Sequence, residues 1–145
     1  MIVKPYNGGS SIGISKVNNK KELIKAIKLA KKYDDKLLVE KFINARELEV
    51  AVLKDNKNII CSNPGEIKSA NEFYDYDAKY NNSDSRTVIP AEVEEEKTEE
   101  MRRIARKIFR AVDGSGLARV DFFIDKKTGR VLFNELNTMP GFTPI

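Results

Sequence analysis

Between Leu117 and Asn137 the sequence alternates in a way that leaves few choices of structure. Ala118, Val120, Phe122 and Ile124 fall on one side of an extended chain and Arg119, Asp121 and Phe123 on the other, and Lys126-Lys127-Thr128-Gly129 then interrupts the pattern. Side chains on a strand alternate faces, so the segment predicts a β-hairpin, Leu117–Asp125 returning through Arg130–Asn137, with the apolar set in a core. On the returning strand Val131, Phe133, Glu135 and Asn137 are expected to share a face. A five-residue connection centred on Thr128 sets Asp121 opposite Glu135 and Arg119 opposite Asn137.

Two carboxylates directly opposite on a sheet repel, and folding alone supplies no reason to place them there. A divalent cation reverses the sign. With the amide oxygen of Asn137 two residues along, three oxygen donors converge, which is the partial protein shell that magnesium takes when phosphates complete it. The alternative is an exposed edge strand whose charges are simply wet.

A helix precedes the hairpin. Met101, Ile104, Ala105, Ile108, Phe109 and Val112 line one face of Glu94–Val112, its acidic start and basic end complement the helix dipole, and Gly114 and Gly116 end it. Upstream, Met1–Pro5 reads as a strand, Asn7-Gly8-Gly9-Ser10-Ser11 as a loop and Ile12–Val17 as a second strand. Asn19 with Glu22 forms a capping pair for a helix carrying Leu23, Ile27 and Ala30 and reaching about Tyr33, where Asp34-Asp35 breaks it. Leu37–Ile43, Glu47–Lys54 and Ile59–Ser62 read as strands, and Asn63–Pro90 as a long irregular loop with a short helix at most. The order of elements indicates an α+β fold, a mainly antiparallel sheet packed on helices.

Composition narrows the chemistry. The 145 residues are 41% apolar and 33% charged, as in a globular domain, and contain no histidine. Histidine-based nucleophile activation and the commonest transition-metal ligand are thereby excluded, leaving carboxylates, lysine, arginine, tyrosine and backbone, a set suited to phosphate and hard cations. Cys61 is the sole cysteine and reads as a small strand residue in a reducing, cytoplasmic compartment. No apolar run approaches a bilayer span, and a net charge of +4 without a basic stripe of stacking aromatics argues against nucleic acid. Lys4 before the Gly8-Gly9 loop could serve an anion, although the loop is not a Walker sequence and an ordinary turn is the favoured explanation. Glu40-Lys41 and Glu47 fit a solvated strand edge.

Taken together, four segments resemble the D-alanine–D-alanine ligases of the ATP-grasp superfamily: VKPYNGGSSIGISKV from Val3, VEKFINARELEVAVL from Val39, FYDYDAKY from Phe73, and ARVDFFI with NELNTMPGFT from Ala118 and Asn134. The resemblance implies ATP and two magnesium ions, with manganese a possible substitute. It implies Lys4 on the α- and β-phosphates, Glu40, Lys41 and Ile43 at the adenine, Glu47 at the ribose and Phe123 under the base. Lys79 would close on the γ-phosphate, and Asp121, Glu135 and Asn137 would hold the metals. Arg119 and the backbone N–H of Gly141 would stabilise an oxyanion, while Ser10 and Tyr80 would shape the substrate pocket. The implied activity is phosphorylation of one D-alanine and attack by the amine of a second, in a parent enzyme that is a homodimer; D-alanine and ATP are the expected partners, with neither nucleic acid nor membrane.

Residues 1–47 are expected to form an incomplete central ATP-grasp lobe and 48–145 a C-terminal lobe truncated at its end, so that the chain alone is inactive. Two other readings stand beside this one: another ATP-grasp carboxylate ligase, such as a D-alanine–D-lactate ligase, and a non-catalytic nucleotide-binding module. Tyr80 favours the dipeptide, because the resemblance associates phenylalanine there with some lactate-accepting enzymes.

Overall fold

A computed structural model describes residues 1–68 and 86–141. They divide into two compact units, 1–43 and 44–68 with 86–141.

The first unit is a three-stranded antiparallel sheet with one helix. Strand β1 (Ile2–Pro5) lies between β2 (Ser15–Lys16) and β3 (Leu37–Glu40). Helix α1 (Lys20–Ala30) starts as its sequence dictates: Asn19 accepts from the Glu22 N–H at 3.0 Å, and Glu22 reaches back to the Asn18 N–H at 2.8 Å. Its apolar stripe closes over Val3 and Val17 through Ala26 and Ala30, with Leu23, Ile27 and Leu37 around them. The helix ends three residues before Tyr33. Asp34 then accepts from the Asn7 N–H at 2.8 Å and the Lys36 N–H at 2.9 Å, fixing the turn into β3. The second strand is shorter than expected. Ser10 and Ser11 both adopt positive φ, 52° and 59°, so residues 10–13 turn and extended backbone begins only at Ser15.

The second unit is a six-stranded antiparallel sheet with a helix on one face. Its strands are β4 (Ala45–Asp55), β5 (Asn58–Cys61), β6 (Gly65–Lys68), β7 (Arg86–Val88), β8 (Leu117–Asp125) and β9 (Val131–Asn137), ordered β7-β6-β4-β8-β9 with β5 also on β4. Strands β6 and β7 fall in the stretch expected to be irregular. Helix α2 (Glu95–Ala111) matches its sequence pattern to within one residue at each end. It lays Met101, Ala105 and Phe109 onto Leu48, Val50 and Val52 of β4 and Ala118, Val120, Phe122 and Ile124 of β8. Its end is built differently from the expectation: Asp113 takes the left-handed φ of 51°. Gly114 is required by packing, since a Cβ there would meet the Phe109 ring at 2.7 Å.

One ion pair belongs to the core side of this sheet. Arg46 and Leu48 point the same way on β4, and Glu66 of β6 lies opposite Leu48. The guanidinium grips Glu66 through Nε at 2.7 Å and Nη2 at 2.8 Å, and also donates to the Glu92 carbonyl at 2.9 Å ahead of α2.

The hairpin reaches its register by an unexpected route. Asp125 and Arg130 pair across a connection of four residues rather than five, which sets Ile124 opposite Val131 and Phe122 opposite Phe133. Continued unchanged, that register would bring Asn134 to Asp121 and turn Glu135 toward the core. Instead the ladder shifts between Asp121 and Phe122, passing over Asn134, so that Glu135 faces Asp121 and Asn137 faces Arg119. This is a β-bulge, and it corrects the expected faces of β9. Val131 and Phe133 pair with the core-facing residues of β8, and Val131 and Leu136 both pack against the core, whereas Glu135 and Asn137 face the other way.

Candidate functional site

Because α2 covers one face of the six-stranded sheet, the outward residues of β4, β8 and β9 form the other face. They stand in cross-strand rows. Glu49, Asp121 and Glu135 make one row, Ala51, Arg119 and Asn137 the next, and Glu47 lies opposite Phe123 on the far side of the first. Of the residues expected at the site, Glu47, Arg119, Asp121, Phe123, Glu135 and Asn137 are thus brought onto one surface of a single unit.

The centre of this surface is the Arg119–Asp121 fork. Arg119 donates from Nε to Asp121 Oδ1 at 2.7 Å and from Nη2 to Oδ2 at 2.8 Å, the parallel geometry that suits guanidinium and carboxylate. Asn137 Nδ2 adds a bond to Oδ2 at 2.9 Å. Glu49 Oε1 lies 3.3 Å from Arg119 Nε. The fork with Asp121 holds the guanidinium's proton more firmly than usual; burial opposes this, and the charges of Asp121, Glu49 and Glu135 add to it. Asp121 is largely buried in this network, whereas Glu135 on the edge strand β9 is exposed. The edge position expected by the competing reading is therefore real for β9, but the wet-charge description fits only Glu135.

Glu49 is the residue that sequence reasoning missed. Its alternation with Glu47 in the strand was visible, but its place beside Asp121 depends on the pairing of β4 with β8, two segments far apart in sequence.

The donor set can be tested against magnesium directly. Two carboxylates and an amide are hard oxygen ligands, and among the described residues no three or more acidic, histidine or cysteine side chains gather into a metal-binding group. A cation here would take a minority of its ligands from protein and the rest from water and phosphate, which is magnesium's habit. Asn137 directs its amide nitrogen at Asp121, and the oxygen of the same amide is the donor it would offer a cation. The residues fit the ion.

In the first unit, Lys4 and Glu40 form an ion pair at 2.8 Å, on strands β1 and β3. The lysine is the more enclosed partner. Lys41 and Ile43 follow β3, Lys41 exposed and Ile43 half-buried. Ser10 occupies the left-handed turn already described. Gly141 is exposed at the end of the described chain. Lys79 and Tyr80 lie outside the described residues. No helix among the described residues is long and apolar enough to cross a membrane.

The family described as D-ala D-ala ligase C-terminus matches residues 1–145. The chain is 55% identical to a D-alanine–D-alanine ligase of Heliobacterium modesticaldum over 143 residues, 99% of this chain and 39% of that protein. It is 54% identical to one from Acetivibrio thermocellus over 145 residues, all of this chain and 38% of that one. Among solved structures, D-alanyl-alanine synthetase A from Vibrio cholerae aligns with a TM-score of 0.85 at 37% identity, over 99% of this chain and 44% of that one. VanG D-Ala:D-Ser ligase from Enterococcus faecalis aligns at 0.84 and 39% identity, over 98% and 41%. The chain therefore spans about two fifths of the length of the relatives it matches. With a matching family over its full length, an α+β fold and relatives above 50% identity, the chain belongs to the D-alanine–D-alanine ligase family, as its C-terminal part with the ATP-grasp fold.

Proposed function

We propose that this chain supplies much of the nucleotide and magnesium site of a cytoplasmic, homodimeric enzyme that uses ATP to join two D-alanines into D-alanyl-D-alanine for peptidoglycan precursors. The observation that carries this reading is the alignment of Asp121, Glu135 and Asn137 on the outer face of the hairpin, with Arg119 locked among them. Such a row disfavours folding and suits a cation.

In this reading Asp121, Glu135 and Asn137 hold two magnesium ions, which when bound offset the charge on the phosphates of ATP. Lys4 faces the α- and β-phosphates and Lys79 the γ-phosphate, while Glu40, Lys41 and Ile43 meet the adenine, Phe123 packs against it and Glu47 takes the ribose. Arg119 and the Gly141 N–H are aimed at charge that develops on the acyl oxygen when the second amine attacks, a role in which fixed donors are most effective. Ser10 and Tyr80 line the substrate side, and Tyr80 makes D-alanine rather than D-lactate the acceptor. Residues 1–47 belong to the central lobe and 48–145 to the C-terminal lobe. Positioning two small zwitterions in line can account for roughly 7–11 kcal/mol of such a barrier.

Calorimetric titration of ATP into the 145-residue chain, with and without magnesium, tests the reading. Magnesium should strengthen ATP binding. Asp121→Asn and Glu135→Gln should each abolish most of that enhancement and leave the metal-free affinity within about twofold. Equal magnesium enhancement in both variants would remove the basis for placing the metals here.

A further inference from the structure

The row of three carboxylates across β4, β8 and β9 contains one member that the reading above leaves without a role. Asp121 and Glu135 are assigned to the cation; Glu49 is not. Yet Glu49 sits directly opposite Asp121 on the central strand β4, and its Oε1 is 3.3 Å from the Nε of Arg119.

The difficulty it addresses lies in Arg119. Both oxygens of Asp121 accept from this guanidinium, at 2.7 and 2.8 Å. Oδ2 also accepts from Asn137, so both of its lone pairs are taken and only Oδ1 keeps one free; a cation that draws on both oxygens therefore weakens the hold of Arg119. Once released from Asp121, the half-buried guanidinium needs another carboxylate to hold it at the surface, and Glu49 is already within ion-pair distance. Glu135 cannot catch it, being committed to the same cation. Arg119 Nε lies 2.7 Å from Asp121 Oδ1 and 3.3 Å from Glu49 Oε1, so the two carboxylates are alternative partners for one guanidinium nitrogen.

We propose that Glu49 is a positioning residue for Arg119, taking over the guanidinium when Asp121 turns to a cation and so keeping Arg119 at the site. The inference rests on the magnesium and nucleotide reading of this surface. Ala51, the residue of β4 directly opposite Arg119, is small and puts no bulk beside the guanidinium as it moves.

Hydrogen exchange at the arginine side chain reads this directly. In the 15N-labelled chain the Nε–H signal of Arg119, identified by its loss in Arg119→Lys, is followed as magnesium and β,γ-methylene ATP are added. In the parent chain the signal should shift on loading and remain slow to exchange, because one carboxylate replaces another. In Glu49→Gln, which is isosteric on a half-exposed strand face and should fold normally, exchange in the loaded state should accelerate at least tenfold while the unloaded state changes by less than about threefold. Glu49→Asp should recover part of the protection. If the parent signal moves on loading and Glu49→Gln stays equally protected, the role of Glu49 is overturned and the metal reading survives. If the parent signal does not respond to magnesium and nucleotide at all, the metal reading fails and takes this inference with it.

Discussion

Removing Glu66 should destabilise the six-stranded sheet by about 2–3 kcal/mol. Glu66 is only 5% exposed, and its two oxygens take Nε and Nη2 of Arg46 at 2.7 and 2.8 Å. Breaking a buried pair by deleting one partner costs about 3–5 kcal/mol, because the survivor stays buried and uncompensated. Here the survivor is less confined: the Arg46 side chain is 31% exposed and keeps its bond to the Glu92 carbonyl, so the lower end of that range, further reduced by water, is appropriate. For a domain of this size, about 2 kcal/mol corresponds to a fall in midpoint of roughly 8–16 °C. The chain has two units, so amide exchange at Val50 and Val52, both in the buried core beside this pair, is a better measure than a global melt. Arg46→Met combined with Glu66→Ala should recover at least about 1 kcal/mol relative to the sum of the single changes. Acid gives the same answer by another route. The Arg46 side chain hydrogen-bonded to Glu66 lowers its pKa below the ordinary 4.5, burial opposing, so the folded carboxyl releases its proton more readily than the unfolded one. The pair's contribution is therefore complete above about pH 4.5 and is lost as pH falls through the lower folded value, and the gap between the parent chain and Glu66→Gln should close over that interval. A Glu66→Ala loss below about 0.5 kcal/mol, or an acid slope shared by Glu66→Gln, would refute the argument.

Phe109→Ala should cost about 3–5 kcal/mol in exchange protection of β4 and β8, since the ring is 1% exposed in the centre of the core. Asn19→Ala removes the acceptor of the Glu22 N–H and should destabilise α1 by about 1 kcal/mol, seen as faster exchange in residues 20–24 and little change in the other unit. Deleting Asn134 removes the bulge residue, so the four-residue turn then brings the following glutamate to Asp121 unaided; cross-strand amide contacts from Asp121 to that glutamate should persist in NMR spectra, and their loss would show that the bulge does more than restore register. Glu135→Gln should raise the stability of the metal-free sheet by about 0.5 kcal/mol through relief of the facing charge, as measured by exchange at Val120 and Leu136, whereas a clear loss would mean the two carboxylates do not oppose each other.

How far the sequence could be read follows from where the information lies. Helix α2 and strand β8 carry long, regular patterns whose burial depends on their own spacing, and both were legible almost to the residue. Strand β6 was not, because Glu66 breaks its apolar pattern and its main partner is Arg46, twenty residues earlier. Strand β7 is three residues on a sheet edge, too short for any period to emerge. The bulge did leave a trace: Val131 and Phe133 keep a period of two, and the next core residue is Leu136 rather than residue 135. An apolar pattern that changes phase across a polar pair such as Asn134-Glu135 is the sign of an extra residue. The facing of Asp121 and Glu135 was obtained through a turn one residue too long, an error that the bulge happens to cancel. Glu49 needed knowledge of which strand neighbours β8, and no local pattern contains that.

The two faces of the sheet treat charge in opposite ways, and the difference bears on what the outer face is for. On the core side Glu66 is gripped by Arg46 through two hydrogen bonds, with Lys68 Nζ a further 3.9 Å contact, so its charge is met by geometry as well as sign. On the outer side Glu49, Asp121 and Glu135 stand in a single row, with Arg119 beside Asp121 and Glu49. Neutral or β-branched residues would serve the strands better at each of these positions, so the row works against the local requirements of folding. Strong coupling of Arg119 to Asp121 moderates the repulsion without removing it, because one guanidinium cannot form close bidentate contacts with three carboxylates at once. The sheet tolerates that repulsion because the opposite face carries an apolar core closed by α2, which supplies stability apart from the charged surface. In the proposed reading, a cation entering the row relieves the repulsion and loosens Arg119 from Asp121 in the same event, because the register of β4, β8 and β9 sets Glu49, Asp121 and Glu135 side by side.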